Sequence, residues 1–118
     1  MRTFTLLRTK SNATNDTAPN SSQPPAGEIY TLQRGGTLLF MTDDTAGTLT
    51  SANATVYEQV TLADGTTTWV AYAAITVTGQ FIMYAEDDLG PGSQVWIGFD
   101  TIAGATAFNV YVVEPGTA

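Results

Sequence analysis

An all-β fold, a single antiparallel β-sandwich of jelly-roll or immunoglobulin-like type, is predicted by three features of the sequence. Residues 66–86 carry its longest period-two pattern: Trp69, Ala71, Ala73, Ile75 and Val77 are apolar, while Thr66, Thr68, Thr76 and Thr78 hold much of the other register, as a half-buried strand requires. Shorter alternating runs recur along the chain between Gly, Asp-Gly and Pro-Gly breaks, about eight or nine strands at the turn spacing of a sandwich. No segment carries a convincing 3.6-residue periodicity. With 118 residues the chain fits one domain, which buries roughly two-thirds of its unfolded surface.

The first strand is expected over residues 3–9, with Phe4 and Leu6 on one face. Residues 11–27, SNATNDTAPNSSQPPAG, offer no large apolar side chain to offset the entropy of ordering. Residues 1–27 are therefore read as a detached strand on an extended arm, and 28–118 as the sandwich. Strands over 28–33 and 37–42 are joined through Arg34-Gly35-Gly36, a hairpin signal. Asp43-Asp44-Thr45-Ala46-Gly47 is a turn, leading to a short strand at 48–51 and a firmer one at 55–61. Asp64-Gly65 makes the strongest hairpin turn and opens the long strand, which Gly79 turns into an antiparallel neighbour beginning at Phe81. A loop at 87–92 precedes strands over 93–99 and 107–114. The expected core is Phe40, Val60, Trp69, Ile75, Val77, Phe81, Met83, Val95, Ile97, Phe99, Phe108, Val110 and Val112. Trp96 stands in the opposite register to Val95 and Ile97, so it fills a second buried face or lies at an interface.

Absent residue types narrow the chemistry. There is no cysteine and no histidine, which removes disulfides, thiolate or imidazole metal ligation, and Ser-His-Asp or Cys-His catalysis. A carboxylate pair for glycoside hydrolysis needs a sugar cleft between its two acids, and the short loops leave little room for one. No enzymatic activity is expected. Four Asn-X-Ser/Thr triplets begin at Asn12, Asn15, Asn20 and Asn53, but residues 1–10 have too few apolar side chains for a secretory signal, so glycosylation is not expected either.

The formal charge is −7, unevenly placed. All four bases, Arg2, Arg8, Lys10 and Arg34, lie in the first 34 residues against Asp16 and Glu28. From Gly35 on there are nine acids and no base. Such a body repels phosphate backbones and anionic lipid, so neither nucleic acid nor membrane is an expected partner. If consecutive strands alternate in direction, Asp43, Asp44, Glu86, Asp87 and Asp88 gather at one pole as a candidate calcium site, calcium taking six to eight oxygen ligands. Solvated loop acids are the commoner outcome, and no other cofactor is expected.

A small acidic β domain, preceded by a Pro/Ser/Thr/Asn tether and a detached strand, resembles the head decoration or cement proteins of tailed phages. The resemblance implies a structural virion protein on the capsid exterior, bound to the major capsid protein and to sister copies as a homo-oligomer, and attached through its N-terminal arm by strand addition. It makes Arg2, Phe4, Leu6, Arg8 and Lys10, together with Trp96, the expected interface residues. The competing expectation is a bacterial surface or carbohydrate-binding β-sandwich module, served equally by Thr-rich strands and exposed aromatics.

Overall fold

A computed structural model describes residues 3–11, 16, 24–44, 49–77, 81–104 and 107–115, with the backbone alone at 11, 72–75, 77 and 81–88. Its strands are β1 (Thr5–Ser11), β2 (Tyr30–Thr31), β3 (Gly36–Asp43), β4 (Ser51–Thr61), β5 (Thr67–Val77), β6 (Phe81–Leu89), β7 (Gln94–Ala103) and β8 (Ala107–Val113), with one 3-10 turn at Ala26–Glu28. They form two four-stranded sheets, ordered β1-β8-β3-β6 and β2-β7-β4-β5. Every strand of the first half pairs antiparallel with its counterpart in the second: β1 with β8, β2 with β7, β3 with β6, β4 with β5. The chain is thus one long hairpin rolled into two sheets, the jelly-roll form of the sandwich.

The facing sides of the sheets build the core. Leu38 and Phe40 on β3 and Phe108, Val110 and Val112 on β8 meet Ala52, Ala54 and Val56 on β4 and Val95, Ile97 and Phe99 on β7, all buried. Phe99 and Phe108 join the two sheets edge to face, with ring centroids 5.0 Å apart, the arrangement that aromatic quadrupoles favour. Period-two alternation predicts this inward set correctly on β7 and β8. Leu32, Leu49 and Leu89 enter the core from outside the strong patterns. The expected core side chains at Ile75, Val77, Phe81 and Met83 lie outside the described residues.

Three expectations about connections are corrected. Residues 48–51 and 55–61 are not two strands: Ser51–Thr61 runs as one. Arg34-Gly35-Gly36 does not close a β2–β3 hairpin, because β2 and β3 lie in different sheets. Gly35 and Gly36 do take positive φ, 80° and 97°, but they serve a sheet-to-sheet crossing, and a Cβ on Gly35 would sit 2.6 Å from Pro91 N. Likewise β5 and β6 cross between sheets. The Asp64-Gly65 hairpin is present, with Asp64 Oδ1 accepting from the Thr66 amide at 3.0 Å and its hydroxyl at 2.7 Å.

A bulge corrects the expected face of Trp69. Val56 pairs with Ala73 and Tyr57 with Ala71, so Tyr72 is an extra residue in β5 and the inward register changes there. Ala73 and Ile75 stand in register with the inward residues Val56 and Ala54. Ala71 and Trp69 stand with Tyr57 and Gln59 on the outer face. Trp69 is half-buried, and Ala71 is exposed. A second bulge lies in β7, where Asn53 pairs with Asp100 but Ser51 with Ala103, and Thr101 takes φ 53°, an outlier for a β-branched residue.

The largest correction concerns the N-terminus. β1 is not detached: it pairs with β8 from Thr5↔Val112 to Ser11↔Ala107, and Leu7 packs against the core. The expected division at residue 27 therefore separates a strand from its own sheet. Strand addition does occur, but within the chain: β1 takes the edge of β8 that β3 leaves open. Deleting residues 1–27 is expected to leave a chain with a broad, low-temperature melt or none, measured by circular dichroism, because β8 loses its neighbour and Leu7 leaves the core. A truncated domain melting within a few degrees of the full chain contradicts this placement.

Candidate functional site

Four charged side chains of the N-terminal region, Arg8, Lys10, Asp16 and Glu28, converge on one side of the sandwich, where β1 of one sheet lies beside β7 of the other. The two-residue strand β2 pairs β7 only at Gln94 and Val95, and no other strand of the described residues pairs the next stretch of that edge. Asp16 and Arg8 take that place. The Asp16 amide donates to Phe99 O at 2.8 Å, the Phe99 amide donates to Asp16 Oδ2 at 2.8 Å, and Arg8 Nη1 donates to Ile97 O at 2.9 Å. Arg8 also grips the Asp16 carboxylate through both terminal nitrogens, at 3.0 and 3.3 Å, a two-pronged pairing that fixes geometry as well as charge. Lys10 Nζ lies 3.4 Å from Asp16 Oδ1, and Arg8 Nη2 3.4 Å from Glu28 Oε1.

Trp96 completes the group. Its Nε1 donates to Glu28 Oε1 at 3.0 Å, its ring lies under the Arg8 guanidinium at 5.7 Å, and Tyr57 tilts against it at 5.7 Å. The ring lies across Gly98, where a Cβ would meet it at 3.0 Å, so the residue two positions on must be small. Two bases and two acids are enclosed together and their formal charges cancel. Arg8 and Lys10 side chains are only 8% and 4% exposed.

Of the expected interface residues, Arg8, Lys10 and Trp96 are engaged within the chain by Asp16, Glu28 and the β7 edge, because desolvated bases demand acids close by. Leu6 is 51% exposed, Phe4 is half-buried, and Arg2 lies outside the described residues. The expected calcium ligands are not brought together either. Asp43 pairs with Phe81 at one end of β3, whereas Glu86 pairs with Leu38, about 17 Å away at the rise of a strand. Asp87 and Asp88 continue along β6 away from Asp43. Asp44 is buried, and its Oδ2 accepts from the Leu49 amide at 2.6 Å, shaping the turn between β3 and β4. The side chains of Glu86, Asp87 and Asp88 lie outside the described residues.

Glu114 is a residue that sequence reasoning missed. It is 1% exposed and accepts four bonds: from the amides of Gln33, Arg34 and Gly35 at 2.8, 2.7 and 2.9 Å and from the Tyr30 hydroxyl at 3.2 Å. Burial raises its pKa, but the three amides and the hydroxyl outweigh that and hold the carboxyl below its ordinary value of 4.5. Burial, and then the Glu114 charge, push the Tyr30 hydroxyl above 10.0. The positive-φ glycines after Arg34 were the available signal, since successive amides in such a turn form an anion-binding nest. Asp16 and Glu28 had a signal too: they are the two acids among the four bases.

Chemically the site is a closed internal clamp, with each of these bonds made inside the chain. No protein-family model, no curated protein and no solved structure matches this chain.

Two outcomes follow from this geometry. Asp16→Ala strands Arg8 and Lys10 without their shared acid and leaves the Phe99 amide unbonded; it is expected to cost about 3–5 kcal/mol in denaturant unfolding. Glu114 has a depressed folded pKa, so its contribution is fully present above the unfolded value near 4.5 and is lost as pH falls through the lower folded value. The melting-temperature advantage of the wild type over Glu114→Gln should therefore be constant from pH 7 to about pH 5 and shrink below about 4.5. An advantage independent of pH would remove the charge from the account.

Proposed function

We propose that this chain is a structural, non-catalytic virion protein that decorates and stabilises the exterior of a phage capsid, in contact with the major capsid protein and with sister copies. The observation that carries the reading is where apolar side chains are left exposed. Among the described residues, Leu6, Leu62 and Val70 are the large ones, at 51%, 48% and 46%. Single exposed apolar residues are ordinary on any surface. Leu6 and Val70, however, each sit on a terminal strand of a sheet, beside main-chain groups available to another chain, and Leu62 lies at the turn next to β5. A module that docks edge-on buries all of this.

The charge distribution supports the same reading. From Gly35 onward the chain has nine acids and no base; Asp43, Asp44 and Glu114 are buried, Glu58, Asp64 and Asp100 are not, and with no base to offset it the net negative field suits a basic surface on a large partner. The jelly roll serves capsid and lectin domains alike, so the fold favours neither reading. The carbohydrate-binding alternative has one observation of its own: Tyr57, Gln59 and Trp69 share the outer face of the second sheet by register, two aromatic rings beside an amide.

Co-sedimentation of the purified chain with phage heads that lack it tests the proposal. Saturable binding that weakens with salt is expected, with Leu6→Asp lowering affinity by roughly tenfold, about 1.4 kcal/mol, at an unchanged melting temperature. No binding to heads, with retention on immobilised glycans that Trp69→Ala abolishes, would replace this reading by the alternative.

A further inference from the structure

The four terminal strands of the two sheets are not treated alike. β2 is two residues long, and the β7 edge beyond it is filled by Asp16 and Arg8. β1 carries Arg8 and Lys10 and a register irregularity between Leu6 and Arg8. β6 carries Glu86, Asp87 and Asp88. Short length, charge and irregularity are the devices that keep sheet edges from pairing. β5 differs: it is eleven residues long, TTWVAYAAITV, with no charge and no proline, inside an uncharged stretch that runs from residue 65 to 85.

Its bulge at Tyr72 leaves one straight run, residues 67–71, clear of the β7 side of the sheet. Val60 and Thr61 pair there with Thr68 and Thr67, past Glu58, the last β4 residue to pair with β7. Thr67, Thr68 and Ala71 are exposed and Val70 is 46% exposed. Trp69 Nε1 is buried with no acceptor, so the run also carries an unmet donor.

We infer that this run is a self-pairing edge: residues 67–71 of two copies join antiparallel across a two-fold axis at Trp69, fusing two four-stranded sheets into one of eight strands. The inference rests on the open-edge reading above and names the partner of one of those edges. The occupant follows from charge. Two bodies of −7 repel wherever acids meet, and this run lets them approach with no like charges opposed. A basic partner would gain nothing from a strand without acids and would seat on the acidic surface instead. The symmetry sets Thr68 against Val70 and Thr67 against Ala71, pairs of the β-branched and small residues that sheets accept, and an isologous contact of this kind closes at two copies.

Light scattering on the full chain at micromolar concentration is expected to read twice 12.5 kDa, with Thr68→Lys and Val70→Lys each monomeric at unchanged circular dichroism and Leu6→Asp still dimeric. Hydrogen exchange on the wild type supplies a readout without substitution: amides within residues 67–71 should lose protection on dilution while those of β8 do not. A monomeric wild type, or a dimer that survives both lysine variants, overturns the inference. A monomer whose binding to phage heads is abolished by Val70→Lys also overturns it, by giving the edge to the capsid, and leaves the decoration reading standing. Dimerisation without head binding does the reverse.

Discussion

The stretch of β7 edge beyond β2 is the constraint on which much else depends. A jelly roll must bring its first strand alongside its last, and among the described residues β2 pairs β7 only at Gln94 and Val95. Asp16 supplies one amide and one carboxylate to Phe99, and Arg8, reaching across from the other sheet, supplies a donor to Ile97. Burying Arg8 and Lys10 beside this edge requires acids, and Asp16 and Glu28 are at hand. Glu28 in turn fixes the Trp96 indole, and the ring needs Gly98 beneath it. A single edge defect thus accounts for five polar or aromatic positions and one glycine.

Glu114 performs the corresponding task at the end of β8. The loop entering β3 turns its amides in one direction at Gln33, Arg34 and Gly35, and an acid at the end of β8 closes on them. A carboxylate almost fully buried is sustained because its four bonds exceed its loss of hydration. Both devices hold sheet to connection with polar bonds where the apolar core ends.

These internal pairings decide what the surface presents. With two bases paired inside, Glu58, Asp64 and Asp100 are the acids from Gly35 onward that stay at least partly open among the described side chains, and the terminal strands carry the exposed Leu6 and Val70.

The sequence by itself determined the β class, the inward residues of β7 and β8, the Asp64-Gly65 hairpin and the charge asymmetry, because each follows from local periodicity, turn chemistry or composition. It did not determine which strands pair. Register slips by one residue at Tyr72 and sends Trp69 to the outer face, and a hydrophobic pattern cannot announce an inserted residue. Residues 1–11 read as detached because their partner, β8, lies about a hundred residues away in sequence, and 80 residues separate Arg34 from the Glu114 that caps its loop. The acids proposed to gather at one pole were separated by antiparallel pairing, which sets Asp43 and Glu86 toward opposite ends of β3. Tertiary structure alone decides such matters, since long-range pairing is a competition among all edges for the same hydrogen bonds, and no local stretch encodes its outcome.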